Sequence, residues 1–202
     1  ANGALYHLLL LLGIRPDAVA GHSTAQDLAL PIAALADRLT PESITHTSVL
    51  EDHVPADDIA ALVPRAQLMS VGASDPARVA DLAGKSGGAL HVAMDNCPNQ
   101  VVLCGTPEAI ENARTVLGAE GAVCQFLPFD RAYHTPLYRP VCDRLEETAG
   151  TYEDLVPRIP AYSCTTGKRF PETPDALRRI MIDQWAEPIR FRKPAPPTSA
   201  DM

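Results

Sequence analysis

Residues 18–26 read AVAGHSTAQ, and this short stretch decides how the rest of the sequence is interpreted. Its first four residues predict a short apolar strand that ends at the glycine. After Ser23, the apolar residues Leu28, Ile32 and Leu35 recur at helical spacing. A serine in a sharp turn between a strand and a helix is the setting of a nucleophile elbow. The stretch therefore predicts an α/β fold with Ser23 as a candidate nucleophile.

The elbow requires small residues on both sides of the serine, because the strand and the helix pass very close to each other. Gly21 meets this requirement, whereas Ala25 replaces the second glycine of the Gly-x-Ser-x-Gly pattern and adds one methyl group. A serine at this position can also be an ordinary helix cap. If Ser23 is a nucleophile, the backbone N–H of Thr24 is the natural donor to an oxyanion, because it lies at the start of the helix.

The middle of the chain, residues 65–128, has a different order of predicted elements. QLMSVGA, ALHVAMD, QVVLCG and AVCQFLPF read as strands, and DPARVADLAGKS and TPEAIENARTVL read as helices. The order βαββαβ is typical of a ferredoxin-like lobe. We expect this lobe to be inserted into a discontinuous α/β lobe of residues 1–64 and 129–191, with residues 192–202 as a Pro/Ser-rich linker tail. The chain opens in a helical pattern without a start signal, which suggests that an amino-terminal portion is missing.

The composition argues against several classes of protein. The 202 residues carry a net charge of −8, which disfavours a protein that binds nucleic acid or an anionic membrane. The longest apolar run, within residues 5–14, is too short to span a bilayer. The five cysteines form no C-x-x-C pair, and their odd number argues against a disulfide framework. Reduced thiols in a cytoplasmic protein are therefore expected.

A serine nucleophile needs a base, and the chain contains six histidines: His7, His22, His46, His53, His91 and His134. His134 lies in the irregular stretch LPFDRAYHTP directly after the inserted lobe, where a loop can bring a functional group back to the cleft. His22 adjoins the serine, and neighbouring side chains in a sharp turn point apart. His46 and His53 lie close to acidic residues, but their spacing alone is a weak metal signal, and no metal site is predicted.

Taken together, these residues resemble the acyltransferase domain of polyketide and fatty-acid synthases, the malonyl-CoA:acyl-carrier-protein transacylase family. The resemblance runs along nearly the whole chain, in the segments GIRPDAVAGHS, MDNCPNQVVLCGTPEAIENA, FDRAYHTPLY, YSCTTGK and QWAEPIRF. The Tyr-His loop looks most like iterative synthases of the enediyne and polyunsaturated-fatty-acid types. The resemblance implies an α/β-hydrolase-like lobe that carries a ferredoxin-like lobe, which agrees with the order of elements read from the residues.

The resemblance also implies catalytic roles. Ser23 matches the nucleophile that carries the acyl group as an ester, and His134 matches the base that deprotonates it and later protonates the leaving CoA thiolate. Gln184 matches the glutamine near a backbone carbonyl that orients this histidine in place of a carboxylate. Thr24 matches one oxyanion donor. Considered without the resemblance, Gln184 could equally be a solvated helix residue.

A second set of residues is implied to bind the substrate: His22, Asn96, Tyr133 and Arg38. Asn96 matches an Asn-x-Pro asparagine that faces the cleft, although asparagine is also a common turn residue. Tyr133 occupies the position beside the acyl α-carbon, so its ring should favour malonyl over methylmalonyl, or else it simply packs in the core. Arg38 is the expected partner of the malonyl carboxylate, with Arg65 as the alternative, because no arginine stands where the family usually has one.

The sequence departs from the family pattern in two further places. Ala25 and Gln26 replace the usual Gly-Glu pair after the serine, and Gln26 is not expected to take part in chemistry. The family's amino-terminal Gly-Gln-Gly loop, which provides a second oxyanion N–H, has no match in this chain. The loss of one such donor typically slows catalysis about 10²–10³-fold.

The expected activity is ping-pong transfer of an acyl group, malonyl by preference, from CoA to Ser23 and then to the phosphopantetheine thiol of an acyl carrier protein. The expected partners are malonyl-CoA, the carrier protein and an adjacent ketosynthase domain of a multifunctional synthase for polyketides, including antibiotics, or fatty acids. No cofactor is expected, and neither nucleic acid nor a membrane is an expected partner. Two alternatives stay open: a thioester hydrolase with the same Ser-His pair, and a degenerate, non-catalytic scaffold.

Overall fold

The computed structural model describes residues 2–35, 54–150 and 152–192. The helices are α1 (Asn2–Leu11), α2 (Ala25–Leu35), α3 (Ala56–Leu62), α4 (Pro76–Gly84), α5 (Pro107–Ala119), α6 (Arg139–Thr148) and α7 (Pro174–Asp183). The strands are β1 (Val19–Gly21), β2 (Gln67–Gly72), β3 (Leu90–Cys97), β4 (Gln100–Gly105), β5 (Val123–Phe126), β6 (Ala161–Ser163) and β7 (Lys168–Arg169). Short 3₁₀ helices span Pro136–Tyr138 and Glu153–Leu155.

The stretch AVAGHSTAQ of residues 18–26 forms β1, a sharp turn and the start of α2. β1 belongs to a three-stranded sheet with the order β1-β6-β7, and it pairs in parallel with β6, with Val19 opposite Ala161 and Gly21 opposite Ser163. β7 runs antiparallel to β6. The buried Leu30 of α2 packs with residues of β6 and α7 in one core. The turn after β1 therefore leaves the sheet at the carboxyl end of a parallel strand, where α/β folds place their functional groups.

A second sheet contains β2 to β5 in the order β3-β4-β2-β5, and every neighbouring pair is antiparallel. Because side chains alternate along a strand, Met69 and Val71 of β2 lie on one face, where they pack with Ile110 and Leu117 of α5. Leu68 lies on the opposite face and belongs to a separate core. This second face forms part of the wall of a cavity.

The helices that cover this sheet begin at well-defined caps. The Asp75 side chain accepts a hydrogen bond from the N–H of Ala77 at 2.9 Å, and Pro76 starts α4. Thr106 caps α5 in the same way and is followed by Pro107. An oxygen-bearing cap followed by proline satisfies a free backbone N–H and presets the helical φ, so the local sequence alone accounts for both helix starts.

The last described residues connect to the four-stranded sheet. Ile189 forms a parallel bridge with Met94: its N–H donates to the carbonyl of Ala93 at 2.9 Å, and its carbonyl accepts from the N–H of Asp95 at 2.7 Å. Arg192 then donates through its backbone N–H and its guanidinium to the carbonyl and the carboxylate of Asp95. These contacts hold the segment after α7 against β3.

One predicted element is shorter than expected. The sequence DALRRIMIDQWAEP predicts a helix closed by Pro188, but α7 ends at Asp183. The carbonyls of Gln184 and Trp185 accept hydrogen bonds from the ring and the backbone N–H of His134. The prediction was wrong because these long-range bonds take the place of a further helical turn.

Several predictions concern residues outside the described ranges. Arg38, His46 and His53 lie there, as do residues 193–202 of the expected tail. Within the described ranges, no helix combines the length and the apolar character that crossing a bilayer requires.

Candidate active site

The turn that carries Ser23 has the strained backbone of a nucleophile elbow. Ser23 has φ of 55°, in the left-handed region that residues other than glycine rarely adopt. The N–H of Gln26 donates to the carbonyl of Ser23 at 2.8 Å, so the turn at the serine leads straight into α2, which begins at Ala25. A Cβ on Gly21 would lie 2.3 Å from the carbonyl oxygen of Ala25 and 2.3 Å from the backbone N of Gln26, so this position requires glycine. Ala25 faces a groove beside α1, which leaves room for its methyl group.

Ser23 and His134 meet across 111 residues of sequence: the serine Oγ lies 2.8 Å from Nε2 of the imidazole. On the other side of the ring, Nδ1 lies 2.9 Å from the carbonyl oxygen of Gln184. A carbonyl oxygen can only accept, so Nδ1 carries the proton and donates it, and Nε2 is free to accept the serine proton. The arrangement has the geometry of a nucleophile, a base and an orienting acceptor.

His134 is only 2% exposed, and this burial determines its charge. Removal from water lowers the pKa of His134 from 6.5 to about 4, and the hydrogen bond to the Gln184 carbonyl opposes this shift only in part. The nearby His22 lowers the pKa further. At neutral pH the imidazole is therefore uncharged, which is the state that a general base requires.

A cavity of about 490 Å³ opens above Ser23 and His134. Its apolar lining comes mainly from the four-stranded sheet and the segments after it: Leu68, Met94, Val102, Leu127, Phe129 and Trp185. No arginine or lysine of the described ranges lines the cavity. The predicted carboxylate partner Arg38 lies outside those ranges, and the alternative Arg65 does not line the cavity.

Three predicted substrate-binding residues lie at the cavity wall. His22 Nε2 lies 2.7 Å from Oδ1 of Asn96, and the Asn96 amide in turn donates to Oε1 of Gln100 at 3.3 Å. Tyr133 is half-buried and stacks on Tyr138 with the ring centroids 5.2 Å apart. Asn96 lies in β3, before the turn, and lines the cavity, so it is not the turn residue that its sequence context allowed. Tyr133 both packs against a core residue and lines the cavity.

Thr24 follows the serine, lines the cavity and is exposed. The amino terminus of α2 begins one residue later, so its backbone N–H groups and its dipole place positive potential near Ser23. A negatively charged oxygen formed next to Ser23 would be stabilised at this position.

A buried network lies behind His134 and was not anticipated from the sequence. The Gln184 amide donates to Oδ1 of Asp27 at 2.7 Å and to the carbonyl of Met181 at 3.1 Å. Gln26 donates to Oε1 of Gln184 at 3.1 Å, and its own Oε1 accepts from the N–H of Cys164 at 2.7 Å. Gln184 is thus not a solvated helix residue, and Gln26, which is not expected from the sequence to take part in chemistry, contacts it directly.

The sequence did contain a signal for this network. Gln26 and Asp27 are the polar residues of the otherwise apolar first turns of α2, and both are buried. Buried polar side chains require partners, so two of them beside a candidate nucleophile indicate a hydrogen-bond network. Within the described ranges, no group of three metal-ligating side chains is present.

Known proteins resemble the chain along most of its length. It is 27% identical over 191 residues to the highly reducing polyketide synthase alnA of Emericella nidulans. The aligned region covers 93% of the chain and 8% of that protein. It is also 26% identical over 188 residues to the malonyl CoA-acyl carrier protein transacylase of Bacillus subtilis. This alignment covers 90% of the chain and 56% of that protein. The chain therefore spans about half the length of the transacylase. No protein-family model matches the chain.

Solved structures give the same picture. The acyltransferase domain of the iterative polyketide synthase in enediyne biosynthesis superimposes with a TM-score of 0.73 and 25% identity, covering 95% of this chain and 49% of that chain. The mixed α/β fold of the chain is the fold of these acyltransferase domains.

Proposed function

We propose that this chain, whose homologues and structural neighbours are malonyl-CoA:acyl-carrier-protein transacylases and acyltransferase domains of polyketide synthases, transfers an acyl group from CoA to an acyl carrier protein. The observation that carries the proposal is the 2.8 Å contact between Ser23 Oγ and His134 Nε2, with Nδ1 held by a main-chain carbonyl. A neutral, buried imidazole beside a serine on a strained elbow is suited to acyl transfer through an ester.

In the first half-reaction, His134 takes the proton from Ser23 while the serine oxygen attacks the thioester carbonyl of the acyl-CoA. The tetrahedral intermediate collapses with cleavage of the C–S bond, and the imidazolium gives its proton to the departing CoA thiolate. Ser23 now carries the acyl group as an ester, and His134 is neutral again.

In the second half-reaction, the phosphopantetheine thiol of the carrier protein loses its proton to His134 and attacks the seryl ester. The C–O bond to Ser23 breaks, and the serine oxygen recovers the proton from the imidazolium. The acyl group leaves as a thioester on the carrier, and the enzyme returns to its starting state. No step needs an electron carrier or a metal, so the proposed reaction uses no cofactor beyond the phosphopantetheine of the partner.

The oxyanion in both half-reactions would be stabilised at the start of α2. The backbone N–H of Thr24 is the proposed donor, because Thr24 follows the nucleophile and lines the cavity. The dipole of α2 adds to this stabilisation. Donors of this kind typically contribute about 10²–10³ in rate.

The proposed acyl group is malonyl. Tyr133 lines the cavity together with His134, and its bulky ring would disfavour an α-methyl branch. Arg38 is the proposed partner of the malonyl carboxylate, and His22 and Asn96 are proposed to contact the acyl or thioester group from the cavity wall.

We further propose a two-lobe organisation, with an α/β-hydrolase-like lobe of residues 1–64 and 129–191 and a ferredoxin-like lobe of residues 65–128. The separate sheets and the antiparallel order β3-β4-β2-β5 support this division. Each lobe has a core of its own, and a third core, which includes Leu68 and Trp185, joins the two. The names of the relatives support an acyl carrier protein as the partner and a larger synthase as the setting. A ketosynthase is proposed as the adjacent domain.

Intact-mass analysis tests the proposal. The chain is incubated with malonyl-CoA, acetyl-CoA or methylmalonyl-CoA, and the mass of the acyl adduct is followed with and without a carrier protein that bears phosphopantetheine. We expect a malonyl adduct that is absent in Ser23→Ala and His134→Ala and that moves to the carrier thiol. A wild-type adduct lost to water within seconds, without a carrier, would indicate a hydrolase instead, and no adduct on any protein would indicate a scaffold.

A further inference from the structure

The hydrogen bonds behind His134 continue beyond the carbonyl that orients it. Gln184, which supplies this carbonyl, uses both amide hydrogens and its amide oxygen in buried contacts. The shortest of them joins Nε2 to Oδ1 of Asp27 at 2.7 Å. A carboxylate is thus present in this active site, but it contacts the glutamine side chain and not the histidine.

We propose that Asp27 is a positioning residue that holds Gln184, and through its main-chain carbonyl His134, in the orientation in which Nε2 faces Ser23. The inference rests on the proposed function, because it assigns Asp27 to the same Ser-His pair.

The position of Asp27 in the fold supports this role. It lies in the first turn of α2, four residues after the nucleophile, and its backbone N–H donates to the carbonyl of Thr24 at 3.2 Å. α2, which follows the elbow directly, therefore also carries the Asp27 carboxyl group, which contacts Gln184 at the end of α7. Asp27 links the nucleophile's helix to the end of the helix that orients the base, so the two halves of the catalytic pair share one rigid support.

The burial of Asp27 indicates that its side chain has a specific use. The residue is 3% exposed, and Oδ2 has no hydrogen-bond partner among the described residues. Burying a carboxyl group in this way is unfavourable unless its contacts compensate, and an apolar residue of similar size would be more stable in many such sites. The group that benefits from the carboxyl oxygen is the Gln184 amide, whose second hydrogen is held only by the 3.1 Å contact to Met181.

Removal of the acceptor should therefore loosen Gln184 without touching the substrate. Asp27 is not among the residues that line the cavity, so a substitution there has no direct route to the binding of acyl-CoA. An amide donor left unpaired in a buried site destabilises its own conformation. The expected signature is a slower chemical step at unchanged substrate affinity.

The test compares two variants whose side chains keep the branching and the number of heavy atoms of Asp27. Asp27→Leu removes the acceptor, whereas Asp27→Asn keeps an amide oxygen in the place of Oδ1. The rate of Ser23 acylation by malonyl-CoA is measured in single turnovers over a range of concentrations. We expect Asp27→Leu to lower the maximal rate about 10-fold or more, with the half-saturating concentration unchanged, and Asp27→Asn to stay within about 3-fold of the wild type.

A spectroscopic measurement follows the base directly. In protein labelled with ¹⁵N-histidine, the Nδ1–H resonance of His134 should be protected from exchange in the wild type and in Asp27→Asn, and broadened in Asp27→Leu. Ile110→Val serves as the control for general destabilisation, because this buried residue lies in the separate core beneath α5. Its acylation rate and its His134 resonance should equal those of the wild type.

Gln184→Met provides a second route if Asp27→Leu does not fold. Methionine keeps the main-chain carbonyl that accepts from His134 but breaks the link to Asp27, so we expect the same slow acylation. The double variant should be no slower than Gln184→Met alone, because both changes break one link.

The proposal is overturned if Asp27→Leu or Gln184→Met acylates at the wild-type rate with an unchanged His134 resonance. It is also overturned if Asp27→Asn is as slow as Asp27→Leu, or if Ile110→Val slows the reaction equally. A wild-type protein that takes up no malonyl group contradicts the proposed function instead, and the His134 resonance still decides whether Asp27 positions the ring.

Discussion

The Oγ of Ser23 and the Nε2 of His134 lie 2.8 Å apart although 111 residues separate them in sequence. Each residue has a positive φ, 55° for the serine and 59° for the histidine. Both backbones therefore adopt a conformation that is unfavourable for these residues, and tertiary contacts maintain it. Strain of this kind is typical of side chains that the fold must aim accurately, and it makes both turns sensitive to substitution.

Gly21→Ala should abolish acylation and reduce the amount of folded protein. The added Cβ would lie 2.3 Å from backbone atoms of Ala25 and Gln26, which cannot move without unwinding the start of α2. Gly118→Ala is the matched control, because a Cβ in this helix meets no atom within 4 Å. The control should stabilise the fold by roughly 0.5–1 kcal/mol, as expected for alanine in a helix. Thermal unfolding measures the stability of both variants, and intact mass measures their acylation. A Gly21→Ala variant as stable and as active as the wild type would show that the elbow is not tightly packed.

The rate of Ser23 acylation should stay constant around neutral pH and fall only as the pH approaches about 4. This is the value to which burial lowers the pKa of His134. Below this pH the imidazole is protonated and cannot accept the serine proton. Single-turnover rates between pH 4 and 8 measure this dependence. A midpoint near 6.5 would mean that the histidine is solvated in the protein.

The same shift makes stability depend on pH. Because the folded protein holds His134 with a lowered pKa, the unfolded chain binds more protons between about 4 and 6.5. The stability that this group contributes is fully present above 6.5 and is lost as the pH falls through 4. Denaturant titrations of the wild type and of His134→Gln should diverge in this window, and parallel curves would contradict the assigned burial effect.

Asp27 should have the opposite effect on stability. Burial raises the pKa of Asp27 from 3.8 to about 7, and the hydrogen bond from Gln184 lowers it only in part. The folded protein therefore binds more protons than the unfolded chain between these values, so the stability from this group is fully present below 3.8 and is lost as the pH rises through 7. Asp27→Asn should gain stability relative to the wild type between pH 5 and 8. Denaturant unfolding of both proteins at pH 5 and at pH 8 checks this. If the two proteins differ in free energy of unfolding by the same amount at both pH values, the Asp27 carboxyl does not titrate between them.

Tyr133→Ala should relax the selection between malonyl and methylmalonyl groups. Removal of the ring opens the cavity next to His134, and one methyl group is typically discriminated by about 10–200-fold. Competition between the two CoA esters, read from the masses of the adducts, measures the ratio. Phe126→Ala on β5, whose exposed side chain does not line the cavity, should leave the ratio unchanged. An unchanged ratio in Tyr133→Ala would assign the ring to packing alone.

Arg38→Ala should reduce malonyl loading relative to acetyl loading if this arginine pairs with the free carboxylate. Loss of a charge-assisted, bidentate contact typically costs about 1.5–3 kcal/mol, which is roughly a 10- to 150-fold effect. Arg65→Ala is the comparison, because this exposed arginine does not line the cavity. If both variants keep the malonyl-to-acetyl ratio of the wild type, the acyl specificity has another source.

The local parts of the site could be predicted from the sequence because they depend on near neighbours. The strand, the sharp turn and the helix around Ser23 follow from apolar spacing and from the single glycine that the close approach of strand and helix demands. The caps at Asp75 and Thr106 are equally local. His134 was favoured as the base by its place in the loop after the inserted lobe, and the resemblance supported it. Gln184 was assigned by resemblance alone, since nothing in its immediate neighbours identifies a support for the base.

Only the tertiary structure decided how these residues work together. The 2.8 Å contact of Ser23 with His134, and the early end of α7 at Asp183, arise where distant segments meet. The burial that lowers the pKa of His134 and raises that of Asp27 depends on every element packed around them. Short-range periodicity carries the pattern of helices and strands, whereas distances between remote side chains and the loss of water around them exist only once the chain has folded.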